Sequence, residues 1–512
     1  MNSIKYLWQN KPLTLILWLA IVFRLISVIF SKGFGMHDDH FLVIEASQSW
    51  VDGTDYNNWL PGSYGNTTPS GHSFFYVGFH YILLSFLKFM GFDNPQAKMF
   101  IIRFLHAAFS LLTVYYGYKI AEKLSNKKTA STIGLLLAIY WFMPFVSVRN
   151  LVEIVCIPFL LIGTYLLIDI KNRKKILLFY FISGVLFGLA FSIRYQTIMY
   201  CGGVGLAILI QKKWKEAFVF GVGIIASIFL IQGGIDTFVW GYPFAELGEY
   251  ISYNLINAHN YNTLPWYSLI LFMFGILIPP ISVLLFFGFF KSWKKHLIIF
   301  LPTLIFIAFH SYFPNKQERF IFPIIPFVII LGMIGWNEFY EKSRFWQKRK
   351  ILYKSFWIFF WVINLIFLPV ISTMYSKKAR VESMTYLSKY ENIPSLLMEE
   401  TNDGNDKIPP QFYLNQWIDL YYLPEKEKIG LLNQKLQLLD AGEWPAFIIF
   451  YDDKNIDQRV DLIGTIIPNL KYETTIEPGF IDKVLNWLNP HNANQTIVIY
   501  RNTDIFPEQK IK

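Results

Sequence analysis

Two carboxylates stand side by side between two histidines in Gly35-Met36-His37-Asp38-Asp39-His40-Phe41, directly after an apolar run of helical length. Three chemistries fit these residue types. The segment can be a solvated loop start. It can ligate a metal through His and Asp, although no HExxH or CxxC spacing accompanies it. It can also supply a general base: a carboxylate at a partly dehydrated surface, beside a second one, has its pKa pushed up and can take a proton from a hydroxyl.

A second constellation reads His310-Ser311-Tyr312-Phe313-Pro314-Asn315-Lys316-Gln317-Glu318-Arg319-Phe320. Lys316 and Arg319 can be snorkelling caps on a helix. They can equally clamp a phosphate, with Arg offering a fork and Lys a point charge. Between the two lies 235–267, IDTFVWGYPFAELGEYISYNLINAHNYNTLPWY, dense in Trp, Tyr, Asn and acids. Aromatic faces stack on sugar rings, and Asn, Asp and Glu bind their hydroxyls; the same composition also suits an interfacial aromatic belt. Arg149 and Arg194 fall at predicted helix ends and are candidates for contact with an anionic donor.

The elements that must position these residues follow from composition. The chain has 512 residues, 54% hydrophobic, 19% aromatic and only 16% charged, with a mean hydropathy of +0.36. A soluble domain carries about 25% charged residues, so most of this chain faces lipid. Disorder and coiled coil are excluded. The charge of +10 is uneven: residues 376–512 hold 15 Lys and Arg against 20 Asp and Glu, leaving 31 basic and 16 acidic residues before them. A basic pI here reflects membrane-flanking Lys and Arg, and no nucleic-acid partner is expected. The cysteines, Cys156 and Cys201, both sit in apolar runs, so neither a disulfide framework nor a Cys metal site is expected.

Apolar runs long enough to span fall at about 13–30, 99–120, 129–148, 150–170, 176–193, 197–210, 217–234, 266–290, 297–312, 320–336 and 356–374. The first is too long for a cleavable signal and reads as a retained helix. Run 73–91 is ambiguous. If it is interfacial or re-entrant, the Lys/Arg-rich segments Lys119–Lys128, Lys171–Lys175, Lys212–Lys215, Lys291–Lys295 and Lys342–Lys354 all share the side of Lys5 and Lys11. The positive-inside rule favours that choice. It predicts eleven spans, a cytoplasmic N-terminus, and outer loops 31–98, 148–150, 235–265 and 311–319. The expected domains are a transmembrane domain, 1–375, with its large first outer loop 31–98, and an extracytoplasmic domain, 376–512. Strand-like runs at 447–451 and 496–500, with helical stretches at 428–440 and 480–488, make the tail a small α/β domain.

Taken in order, the motifs resemble glycosyltransferase family 22, mannosyltransferases of the GT-C superfamily that use dolichyl- or polyprenyl-phosphate mannose. The family's acidic pair after its first helix corresponds to Asp38-Asp39. Its Asp, aromatic-Gly and Tyr-Asn steps correspond to Asp236, Trp240-Gly241 and Tyr253-Asn254. Its Tyr-Gly-Thr-His-Pro-Trp-Tyr appears as Tyr261-Asn262-Thr263-Leu264-Pro265-Trp266-Tyr267. Its His-Lys-Glu-Glu-Arg-Phe appears as Asn315-Lys316-Gln317-Glu318-Arg319-Phe320, followed by Pro323 and Pro326. The likeness covers roughly residues 10–340 and departs from the pattern at Leu264, Asn315 and Gln317.

The resemblance implies a GT-C type polytopic α-helical membrane protein that moves a hexose, mannose by family, from a polyprenyl-phosphate sugar to a glycan or glycolipid hydroxyl with inversion. No cofactor and no metal are assigned. Asp38 is the base and Asp39 orients the acceptor or shares that role. Lys316, Arg319, Arg194 and Arg149 are assigned to the donor phosphate. Asp236, Trp240, Tyr253, Trp266, His310 and Glu318 are assigned to sugar or acceptor. The abundance of Lys and Asn and the short loops suggest a bacterial inner membrane with the site outside; in a eukaryote the membrane would be that of the ER. Other GT-C transfers (to lipid A with a pentose, or O-mannosylation of protein) and a transporter or lipid flippase are the alternatives. A transporter would need charged groups in mid-span and broken helices in corresponding halves, and the acids here sit mostly at outer ends, Glu153 excepted.

Overall fold

In lipid an apolar run can satisfy its backbone only as a helix or in a closed barrel, and these runs are helices. The computed structural model describes residues 2–168, 175–260, 263–402, 407–424, 429–489 and 492–507. Among them six helices are long and apolar enough to cross a membrane: Pro12–Phe30, Pro95–Leu124, Ile176–Ile193, Trp214–Trp240, Glu318–Lys342 and Lys350–Ser372. Four shorter apolar helices, Phe74–Phe89, Val152–Leu167, Tyr195–Ile210 and Leu297–Tyr312, fall on other apolar runs. Run 266–290 is not one straight span. It is two helices, Ser268–Ile276 and Ile281–Lys291, bent by 118°, because Pro279 and Pro280 supply no N–H to continue the ladder. The basic loop 171–175 lies outside the described residues except for Lys175.

Contacts divide the chain into two units. The first holds 1–29, 57–80 and 101–373. Small residues let its helices touch backbone to backbone: a methyl at Gly184 would run into the Phe220 carbonyl, and one at Gly288 into that of Gly332. Charge inside a span is matched locally. Arg24, 2% exposed, donates to Ser110 Oγ at 2.7 Å and to the Ala138 carbonyl at 3.1 Å.

The second unit holds 30–56, 81–100 and 374–512. Its sheet comprises β1 (Ser395–Glu400), β2 (Asp419–Pro424), β3 (Phe447–Tyr451), β4 (Leu470–Ile476) and β5 (Ile497–Asn502) in the order β2-β1-β3-β5-β4. β1 is parallel to β2 and β3, and β5 is antiparallel to β3 and β4. Every residue of β1 and β3 is buried, as central strands covered on both faces require. Glu399 survives there because it ion-pairs with Arg459. Part of the first long loop belongs to this unit: Glu45 Oε1 accepts from Phe412 N at 2.9 Å, and Gly33 bridges Ser376.

Candidate active site

The acidic pair lies in the second unit. Met36 is extended and leads into one helical turn, His37–His40, and a π-turn, Phe41–Glu45, follows. Such widenings are rare and recur at functional sites. Asp39 is buried and folds back, accepting from Gly35 N at 3.1 Å and Met36 N at 2.8 Å. Asp38 is half-buried. Adjacent carboxylates therefore have unlike surroundings, one tying the turn together and the other on its more open side. His40 is fully inside. Its ring stacks on Phe34 at 4.7 Å and Tyr413 at 5.4 Å, and its Nε2 is 3.3 Å from Glu45 Oε1. Exposed His37 stacks on Phe41 at 4.6 Å. Among the described residues no group of three His, Cys, Asp or Glu could hold a metal ion.

In the first unit three of the predicted residues converge. Glu153, wholly buried near the start of Val152–Leu167, receives Arg194 at 3.0 Å and Arg319 at 3.5 Å. Arg194 leaves the end of Ile176–Ile193, and Arg319 sits in the 3-10 stretch Glu318–Ile324 that opens the next long helix. Gln196 Oε1 accepts from Arg194 Nη2 at 2.5 Å and lies 3.2 Å from His310 Nε2. Both guanidiniums also face the Phe320 ring, at 4.9 and 5.7 Å from its centroid. The buried hydroxyl of Tyr250 is held above the usual tyrosine pKa by desolvation, with Arg194 and Gln196 opposing that rise. Together the guanidiniums of Arg194 and Arg319 and the carboxylate of Glu153 carry one net positive charge.

A second polar group gathers around Glu246. Its carboxylate accepts from Ser70 Oγ at 2.8 Å, Gly71 N at 2.7 Å and Trp240 Nε1 at 2.8 Å. Burial raises its pKa and those hydrogen bonds oppose the rise. Asp236 accepts from Glu246 N at 3.1 Å and Gln232 Nε2 at 2.8 Å. Glu246 thus pins the loop at 70–73 to its own helix, while Asp236 and Trp240 hold Glu246 in place.

The remaining predicted residues stand elsewhere in that unit. Lys316 is buried and donates to the carbonyls of Phe313 at 2.6 Å and Pro314 at 3.4 Å, shaping its own loop; burial lowers its pKa. Arg149 is buried with its guanidinium over Phe145 at 4.4 Å. Tyr253 and Trp266 are exposed, and so is Glu318. Thr263 bridges Asn315, joining two of the motif blocks directly; Tyr261 and Asn262 of the first block lie outside the described residues. Sequence reasoning passed over Glu246, Gln196 and Tyr250 and left Glu153 without a role. The signal for Glu153 was available: an acid in an apolar run needs a cationic partner.

Residues 15–406 match the profile of the Alg9-like mannosyltransferase family. The chain belongs to that family. Among its relatives is GPI mannosyltransferase 3 of Yarrowia lipolytica, 21% identical over 469 residues that cover 88% of this chain and 84% of the relative. The enzyme of the same name from Kluyveromyces lactis is 22% identical over 354 residues, 58% of this chain and 57% of its own. The fold resembles ArnT from Cupriavidus metallidurans, solved with bound undecaprenyl phosphate: TM-score 0.64 at 11% identity, covering 97% of this chain and 99% of the other. The Archaeoglobus fulgidus oligosaccharyltransferase follows, with TM-score 0.51 at 11% identity over 89% and 69%. Family membership makes this chain a membrane-embedded mannosyltransferase of GT-C fold and sets aside the transporter reading.

Proposed function

We propose that the chain transfers mannose from a polyprenyl-phosphate carrier to a hydroxyl of a glycan or glycolipid, with inversion, on the outer face of a membrane. The observation that carries this reading is the convergence of Arg194 and Arg319 on Glu153. A polyprenyl-phospho-sugar is a phosphodiester with one negative charge, and the cluster's one net positive charge matches it. Each guanidinium has five N–H donors, and charge-assisted bonds to phosphate oxygens are among the strongest available to a protein. The acceptor oxygen attacks the anomeric carbon opposite the phosphate, and the bond from that carbon to the phosphate oxygen breaks. The electron pair leaves with the phosphate, where the guanidiniums stabilise the added charge. In this reading Asp38 takes the acceptor's proton, Asp39 holds the turn that presents it, and Trp240, Tyr253 and Trp266 offer rings to sugar faces.

Purified protein in detergent is expected to consume polyprenyl-phosphate mannose and release polyprenyl phosphate in the presence of a mannose-containing glycan acceptor. Consumption of nucleotide-linked mannose alone would overturn the lipid donor. The charge pattern of the loops makes a separate forecast about sidedness. A reporter active only outside the cytoplasm, fused after Lys512, should be active, and activity of a cytoplasm-only reporter at the same point would reverse the assigned face.

A further inference from the structure

Helix Phe480–Leu488, FIDKVLNWL, in the second unit breaks the ordinary rule of amphipathic packing. At 100° per residue Phe480, Ile481, Val484, Leu485, Trp487 and Leu488 form one apolar stripe, and Asp482, Lys483 and Asn486 occupy the opposite side. Such a stripe normally faces the core. Here none of the nine residues is buried, and most of the stripe points away from its own domain: Phe480 is 77% exposed, Trp487 79%, Leu488 64% and Leu485 47%, with Ile481 and Val484 half-buried between them. On the other side Asp482 and Asn486 are half-buried against the domain, whereas Lys483 stays in water and pairs with exposed Glu477 at 2.8 Å. Asp482 lies opposite Lys377, and Gln495 Nε2 approaches its Oδ1 at 3.5 Å.

Where the helix begins decides what covers the stripe. A Cβ at Gly479, immediately before it, would meet the Tyr375 carbonyl at 3.1 Å. Tyr375 follows the last apolar span, Lys350–Ser372, by three residues, a reach of about 10 Å at most. The Tyr375 ring also receives Lys32, two residues past the end of Pro12–Phe30, at 5.9 Å. Its hydroxyl faces Gln96, in the first turn of the span Pro95–Leu124. Residues at or just past the ends of three helices long and apolar enough to cross a membrane therefore gather at Tyr375, which puts it close to the membrane boundary. The stripe starts at that same boundary.

We propose that Phe480–Leu488 is an interfacial helix whose apolar face seats in the bilayer surface and ties the sheet domain to the membrane. Trp487 suits the headgroup depth, where an amphipathic ring has one apolar and one wet side. A helix of this length with a broad apolar face and a charged back lies in the interface plane. A contiguous apolar patch of this kind on a water-facing domain would invite aggregation, and a lipid surface removes it.

Depth-dependent quenching tests this on the full chain. A fluorophore is attached at Trp487→Cys and, as a control on the polar side, at Lys483→Cys. The chain is held in phosphatidylcholine nanodiscs, with background labelling of buried Cys156 and Cys201 taken from the unsubstituted protein. Lipid bearing a nitroxide high on its acyl chain should quench the label at 487 severalfold more than at 483, and aqueous iodide should do the reverse. Equal iodide quenching at both positions would overturn the proposal. So would a label at 487 shielded from both quenchers, because the stripe would then be covered by protein, a second copy included.

Discussion

Asp38→Asn is expected to lower mannose transfer by 10²–10⁴-fold, the loss that follows when a general base can no longer take the proton. The amide keeps the shape of the side chain, so the turn His37–His40 and membrane insertion should be untouched. Asp39→Asn should behave differently, because Asp39 holds the turn together through the N–H groups of Gly35 and Met36. An asparagine oxygen keeps one of those bonds, so the expected cost is a stability loss of about 0.5–2 kcal/mol with a smaller effect on turnover. Thermal unfolding in detergent and single-turnover transfer separate the two outcomes. The neighbours share one turn and should couple, so the double variant should be about as slow as Asp38→Asn alone. Wild-type turnover in Asp38→Asn would move the base to another carboxylate, with Asp236 the next to test.

Some of this was legible in the chain because membrane physics leaves few choices. The runs at 13–30, 99–120, 176–193, 217–234, 320–336 and 356–374 each fall on a helix long enough to cross, since an apolar stretch with few charges has no other way to satisfy its backbone. The strands at 447–451 and 497–502 were visible as short β-branched and aromatic runs. β1 was not, because SLLMEE ends in two acids, whose burial rests on the ion pair of Glu399 with Arg459 and on the Lys407 N–H donated to Glu400 at 2.7 Å. The bend near Pro280 had a signal, two adjacent prolines, that hydropathy averaging hides. At the candidate site the cations were visible one at a time. Arg194 and Arg319 sit at the ends of helices far apart in sequence, and nothing in local spacing says that both reach Glu153. His40 shows what spacing alone leaves open. Beside two aspartates it looked available to a metal, yet its ring is filed between Phe34 and Tyr413.

Arg319→Ala is expected to lower turnover on the order of 10²-fold or more. A hydrogen bond to a charged group contributes about 1.5–3 kcal/mol, each 1.4 kcal/mol is tenfold in rate, and the transition state carries more phosphate charge than the bound donor. Arg319→Lys should recover only part of this, because a point charge cannot reproduce the guanidinium fork that faces Gln317 and Glu153. Near-normal turnover in Arg319→Ala would reduce the residue to a helix cap. Glu153→Gln then tests the charge match itself. It raises the cluster from one net positive charge to two. The donor is a monoanion, whereas the released polyprenyl phosphate approaches a dianion at neutral pH, its second pKa being about 6. The variant should therefore hold product more tightly: polyprenyl phosphate should raise its melting temperature more than that of the parent, and product inhibition should set in at lower concentration. Folding alone would not produce this pattern. Loss of the buried carboxylate costs stability with or without ligand, whereas the charge argument requires the loss to be recovered selectively by a phosphate monoester. Equal stabilisation of parent and variant by polyprenyl phosphate would separate Glu153 from the donor and leave it a purely structural counter-ion.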